Sequence, residues 1–209
     1  MKNQKRKLWL GEVADPNYPR YANPKQPQLL LGVAKSDPLK RIQDLNQGTF
    51  TKSKFSAFIK KFGLVSRMDL LEIELNKMGL PNNFQTKQEA SNARKAIKAA
   101  LLQKGYVLDP DNGANTFTTY VIDLQQEESK EKPSKWVYVG ETSQTPEERF
   151  SQHKRGEKAN NSVRDFGLAI NYQLMNYFPQ THFKQDSLAV EKLAAQKLSD
   201  LGYKVEGGK

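Results

Sequence analysis

One internal repeat constrains this chain more than any other feature. Residues 28–48 (QLLLGVAKSDPLKRIQDLNQG) lie over residues 136–156 (WVYVGETSQTPEERFSQHKRG) at a constant offset of 108. That offset sets Gly32 on Gly140, Pro38 on Pro146, Arg41 on Arg149 and Gly48 on Gly156. A second stretch aligns at an offset of 97: Lys87-Gln88-Glu89 meets Lys184-Gln185-Asp186, Leu101 meets Leu198, Gly105 meets Gly202 and Tyr106 meets Tyr203. The identity stops where Val107 meets Lys204. The offsets differ by 11 residues, which a single loop of different length produces. Two α/β segments can share generic spacing by chance, but four identities at one offset favour a repeat. Each copy must then fold from about 100 residues, the size of one compact domain. The turn-rich Asp-Pro-Asp-Asn-Gly near 110–115 places the boundary between 1–113 and 114–209.

Each half opens with a short apolar strand, at 8–13 and at 118–124. A polar connection follows, then a second strand at 29–34 and at 136–141, so each pair reads as a hairpin with a long loop. Helix-start signals come next. Asp37-Pro38 and Thr145-Pro146 both put a capping side chain before a proline at the first helical position, and Glu148 completes a capping box with Thr145. A final long helix stops at Gly105 or Gly202. The pattern predicts an α+β fold, two tandem copies of a small sheet flanked by helices. The charged loop 125–135 (QQEESKEKPSK) reads as a solvated connector.

The net charge is +10, and its distribution says more than its size. Residues 1–113 carry 20 Lys and Arg against 10 Asp and Glu, whereas residues 114–209 carry 13 against 13. The whole excess sits in the first half, which suggests a polyanionic partner there; the plainer account is a basic, soluble surface. No apolar run approaches the roughly 18 residues of a membrane span. The opening Met-Lys-Asn-Gln-Lys-Arg-Lys leads into no apolar stretch of the secretory kind. With no cysteine, a reducing, cytoplasmic setting is expected.

The second half carries candidate chemistry. Thr118-Thr119-Tyr120 and Val137-Tyr138-Val139-Gly140, followed by Arg149, His153 and Glu191, resemble the motif series of the GIY-YIG nucleases over residues 114–209, with Thr-Thr-Tyr in place of Gly-Ile-Tyr. The resemblance implies a small antiparallel sheet flanked by helices, and DNA hydrolysis with one divalent cation, Mg²⁺ or Mn²⁺, held at Glu191. Two positions depart from the family pattern. Glu141 follows the glycine where related domains often carry a lysine or another polar residue, and Gly207-Gly208 stands where an asparagine is common. Asn160 or Asn161 are candidates to replace that asparagine.

The residues support the same chemistry directly. Phosphodiester cleavage needs an activated water, cationic stabilisation of the developing charge and help for the leaving oxygen. Arg149 and His153 are four apart, so a helix sets them on one face. An Arg fork suits a phosphate, and a neutral His can relay a proton. Tyr120 and Tyr138 lie on neighbouring strands, and either Tyr120 or His153 could act as general base. Singly, each of these residues is more simply a solvated or core side chain; their order together points to a site. On a helical projection Glu191 falls amid Leu188, Val190, Ala194, Ala195, Leu198 and Leu201, the middle of an apolar stripe. A bare carboxylate there costs several kcal/mol unless a cation, or an arginine such as Arg149 or Arg164, offsets it.

The first half has lost most of that series. Leu30 stands for Tyr138, Leu45 for His153, Arg94 for Glu191, and Trp9 or Leu10 for Tyr120; Arg41 alone survives at the place of Arg149. An arginine in place of the carboxylate removes the metal ligand and inverts the local charge. Arg41, Lys52, Lys54, Lys60 and Lys61 are candidate contacts to a nucleic-acid backbone, while the interleaved Phe50, Phe55, Phe58 and Phe62 read as core. The sequence therefore predicts a divalent-metal-dependent endonuclease acting on double-stranded DNA, as monomer or homodimer, with the first half gripping the backbone. Its rivals are a catalytically silent nucleic-acid-binding or protein-interaction module, and a phosphate-binding accessory subunit.

Overall fold

Two seven-residue strands begin the first half of the chain. β1 (Lys7–Val13) and β2 (Gln28–Ala34) pair antiparallel, from Lys7 opposite Ala34 to Glu12 opposite Leu29. Leu8, Leu10, Leu29 and Leu31 point to one side of this pair and Trp9 and Leu30 to the other, and all six are buried. A hairpin packed on both faces needs helices on both. The computed structural model describes residues 5–49, 56–108, 116–125, 135–157 and 159–208. Its contacts divide the chain into two units, Met1–Ala114 and Asn115–Lys209.

In the first unit, α1 (Pro38–Asn46) starts where the Asp37 carboxylate accepts hydrogen bonds from the amides of Leu39 and Lys40 at 3.0 and 3.1 Å. α2 (Ser56–Phe62) leads into β3 (Leu64–Ser66), which pairs antiparallel with the free edge of β1. α3 (Met68–Lys77) and α4 (Lys87–Gln103) follow, and α4 opens on a complete Thr86–Glu89 capping box. The chain turns at Gly105, whose φ of 80° favours glycine, and β4 (Val107–Leu108) joins the far edge of β2 in the parallel sense. Leu70, Leu71 and Leu75 from α3 and Ala90, Ile97 and Leu101 from α4 pack on the Leu8, Leu10, Leu29, Leu31 face. Each such leucine stabilises the fold by about 1.5–3 kcal/mol.

The second unit repeats this order. β5 (Thr118–Leu124) pairs antiparallel with β6 (Trp136–Thr142), and α5 (Pro146–Lys154) and α6 (Asn161–Phe166) follow. Then come β7 (Gly167–Ile170) on the edge of β5, α7 (Tyr172–Met175), α8 (Lys184–Asp200) and β8 (Lys204–Gly207), parallel to β6. Strand order is β3-β1-β2-β4 in one sheet and β7-β5-β6-β8 in the other.

Register makes the correspondence residue-specific. Trp9 stands opposite Gly32, and Tyr120 opposite Gly140. The Arg67 amide donates to Leu10 O at 2.9 Å and the Asn171 amide to Val121 O at 2.8 Å. In the same places Arg67 pairs with Glu12 at 2.8 Å, and Asn171 donates to Asp123 at 3.0 Å. The equivalence continues beyond the last identical residue, because Gln28 pairs with Val107 as Trp136 pairs with Lys204.

The expectation of purely antiparallel sheets is corrected: both sheets are mixed, and the overall class is α+β. The parallel strands arise because α4 and α8 carry the chain back across the sheet before β4 and β8 join its far edge. Among the described residues no helix is long and apolar enough to cross a membrane.

Candidate active site

A missing side chain shapes the centre of the second unit. A Cβ at Gly140 would come within 2.7 Å of the Tyr120 hydroxyl and 2.8 Å of the Tyr138 ring, so only glycine lets the two phenols lie across that strand. Both rings share the sheet face covered by α5 and α6, packed with Ile122, Trp136 and Val163. The Thr145–Glu148 capping box and Pro146 fix where α5 starts, and so which face carries Arg149 and His153. His153 is buried against the phenols. Its ring centroid lies 6.2 Å from that of Tyr120 and 5.6 Å from that of Tyr138, and the two phenols are 5.9 Å apart.

Hydrogen bonds fix the proton inventory of this cluster. The Asn160 amide donates to His153 Nδ1 at 3.0 Å, so that nitrogen is bare and the neutral ring carries its proton on Nε2. Nε2 lies 2.8 Å from the Tyr120 hydroxyl and therefore donates to it. The interaction between the two hydroxyls raises the Tyr120 pKa further and lowers that of Tyr138. Burial, with the Arg149 charge adding to it, drives the His153 pKa down to about 4, so the ring is neutral at pH 7. Burial raises Tyr120 and Tyr138 above an ordinary phenol; for both the Arg149 charge acts the other way.

Arg149 donates to Gln152 Oε1 at 3.1 Å and lines a cleft of about 530 Å³ with Glu141, Thr142, Gln152 and Glu157. Glu191 approaches from α8. Its charge raises the Tyr138 pKa, and burial raises its own. The expectation that Glu191 occupies the middle of the apolar stripe is corrected. The buried stripe runs through Ser187, Val190, Ala194 and Leu198, whereas Leu188, Leu193 and Leu201 are 44%, 56% and 57% exposed, so Glu191 flanks the stripe and is half-buried. Its Oε1 accepts from the Gly208 amide at 3.3 Å. The cation whose charge favours its ionised form is Lys184, rather than either arginine considered from sequence; Arg164 pairs with Asp165 at 2.7 Å. Lys184 also pairs with Glu141.

Among the described residues no group of three or more His, Asp or Glu side chains converges to hold a metal. One half-buried carboxylate beside phenols and an arginine suits a hard cation of the Mg²⁺ type, which keeps several waters and takes further oxygens from substrate phosphate.

The structure brings Tyr120, Tyr138, Arg149, His153 and Glu191 into one neighbourhood. Sequence reasoning missed four contributors: the Asn160 amide, the Gly208 amide, Gln152, and the Glu141–Lys184 pair. Main-chain donors leave no side-chain signal, although consecutive glycines after an apolar helix do mark a special backbone.

The first unit fills the corresponding positions with hydrocarbon. Register selects Trp9, not Leu10, as the counterpart of Tyr120, and a Cβ at Gly32 would come within 2.4 Å of the Trp9 ring. Leu30 and Leu45, counterparts of Tyr138 and His153, are buried. Arg94, at the place of Glu191, donates to Leu31 O at 3.0 Å. Arg41 is half-buried, and burial lowers its pKa. Lys60 and Lys61 are exposed on α2, while buried Phe58 and half-buried Phe62 pack edge-on against Tyr18 at 5.6 and 4.7 Å. Lys52, Lys54, Phe50, Phe55 and loop residues 126–134 lie outside the described residues.

No protein-family model, curated protein or solved structure matches this chain.

Proposed function

We propose that the second unit is a divalent-metal-dependent endonuclease of the GIY-YIG type, hydrolysing phosphodiester bonds in double-stranded DNA, and that the first unit grips the backbone. The observation that carries this reading is the locked pair of His153 and Tyr120. Residues 33 apart in sequence meet at 2.8 Å, with the imidazole proton forced onto the nitrogen that faces the phenol.

Mg²⁺ or Mn²⁺ held at Glu191 would supply positive charge against the scissile phosphate and acidify a bound water. Tyr120 is the general base in this reading, because His153 Nε2 already carries a proton and its Nδ1 is occupied by the Asn160 amide. His153 donates to the Tyr120 oxygen and so would stabilise the phenolate; the phenol's own proton first leaves to bulk solvent, and the phenolate then takes the water's proton. Burial opposes that phenolate, so its formation depends on the Arg149 charge, the His153 donor and the cation together. Arg149, lining the cleft, meets the phosphate, and Tyr138 orients Tyr120. The rim of the site bears exposed Glu147, Glu148 and Glu157, which disfavours backbone binding by this unit alone and leaves that task to the basic first unit.

One observation favours a catalytically silent module instead: the Lys184 charge acts on Glu191 and, against the larger effect of burial, favours its ionised form without a metal. Incubation of the protein with supercoiled plasmid and Mg²⁺ or Mn²⁺, beside Glu191→Ala and Arg149→Ala, separates the two. The nuclease reading expects cleavage by the wild type and a loss of roughly a thousandfold in each variant. Equal cleavage by all three would identify a contaminant, and no cleavage by any would establish the silent module.

A further inference from the structure

The cleft beside Arg149 contains carboxylates, the wrong sign for a phosphate. Glu141 and Glu157 both line it, and an ionised carboxylate there repels an incoming phosphodiester. Glu157 is already answered on its own side, by Arg155 at 2.8 Å. Glu141, directly after the glycine of β6, is answered from the opening turn of α8. Lys184 Nζ pairs with Oε1, and the buried Ser187 hydroxyl donates to Oε2 at 3.1 Å. Both carboxylate oxygens are thereby held. Lys184 lies 5.6 Å over the Phe117 ring, so its ammonium is held between an aromatic face and a carboxylate.

The first unit supplies an internal control. At the offsets set by the repeat, Val33 stands for Glu141 and Ala90 for Ser187, while Lys87 stands for Lys184. Where the carboxylate is absent, the serine that clasps it is absent too. The carboxylate and its serine occur together, in the unit that keeps the phenols and the imidazole, whereas the lysine stands in both units, as Lys87 and Lys184.

We propose that Lys184 is a positioning residue of the second unit's site: by pairing with Glu141 it cancels that carboxylate and leaves Arg149 as the charge a phosphodiester meets. The inference rests on the hydrolase reading. It accounts for a glutamate standing beside a phosphate cleft, and for a lysine supplied by a helix that enters the chain more than 40 residues later.

Plasmid-cleavage kinetics of the full chain, with a thermal melt of each variant, test it. Lys184→Met should raise KM on the order of tenfold, the cost of one uncancelled charge near the phosphate. Lys184→Arg should retain the wild-type KM. Glu141→Gln should lower KM, because Lys184 is then left uncancelled. The Glu141→Gln/Lys184→Met double variant should return to within about twofold of wild type, since the Glu141 carboxylate that Lys184 cancels is gone as well. A Lys184→Met variant with wild-type KM would overturn the inference. So would a double variant as impaired as Lys184→Met, which would assign the ammonium a direct phosphate contact or a packing role, the melt telling these apart. Wild-type protein that cleaves nothing would overturn the hydrolase reading itself, so the two failures are distinguishable.

Discussion

The two units share strand order, register and the glycine beneath an aromatic ring, yet the equivalent positions hold different chemistry. In the first, Trp9, Leu30 and Leu45 are buried and apolar. In the second, Tyr120, Tyr138 and His153 occupy those places, and Tyr120 and His153 are no less buried. A buried hydroxyl or imidazole costs free energy unless it is hydrogen-bonded. The second unit meets that cost with a chain of donors running from the Asn160 amide through His153 to Tyr120. The comparison separates what the fold needs, which is volume and ladder register, from what a site needs, which is polar atoms with fixed protons.

Three measurements can break or sharpen this comparison. The largest effect should come from the aromatic over the glycine. Trp9→Ala should lose about 3–5 kcal/mol in urea unfolding, followed through the first unit's transition. Tyr120→Phe keeps the ring and should stay within about 1.5 kcal/mol of wild type while abolishing plasmid cleavage. If Tyr120→Phe unfolds as easily as Trp9→Ala, Tyr120 serves packing and the contrast between the units is lost.

The imidazole gives the next effect. His153 titrates near 4 in the folded chain, against an ordinary value of 6.5. Between those values the unfolded chain takes up a proton that the folded chain refuses. Stability should therefore fall as pH drops from about 6.5 and level off below about 4, by at most about 3 kcal/mol. His153→Leu copies Leu45 of the first unit and should remove that part of the slope. An unchanged pH profile of the urea midpoint in His153→Leu would place the titration elsewhere.

The smallest effect concerns the basic surface. Lys60→Gln/Lys61→Gln should weaken duplex-DNA binding and reduce the slope of log affinity against log salt by about 2, read by fluorescence anisotropy. An unaltered slope would remove these two lysines from the backbone contact.

Much of the fold was legible because its signals are local. Short apolar runs marked β1 and β2, Asp37-Pro38 and Thr145-Pro146 marked the starts of α1 and α5, and Gly105 and Gly202 marked the ends of the long helices. The short parallel strands β4 and β8 were not legible. Two to four residues carry no usable alternation, and their partner lies far away in sequence. The helical projection of α8 counted Leu188 and Leu201 with the buried residues, whereas both face outward; Glu191 therefore flanks the buried stripe rather than centring it. The five candidate site residues share a motif order and could be named from sequence. Lys184 could not, because its partners sit on another strand and its spacing to them follows no helical or strand period.

The ring laid over Gly32 or Gly140 has a consequence for how such a chain can diverge. Neither member of the pair can be replaced freely, since a side chain in place of the glycine strikes the ring and loss of the ring leaves a void over bare backbone. A phenol can nevertheless give way to an indole, because both fill the hollow. Silencing a site of this kind is therefore a short mutational path that preserves shape, and a copy can abandon its reactive groups while its architecture stays fit for other work.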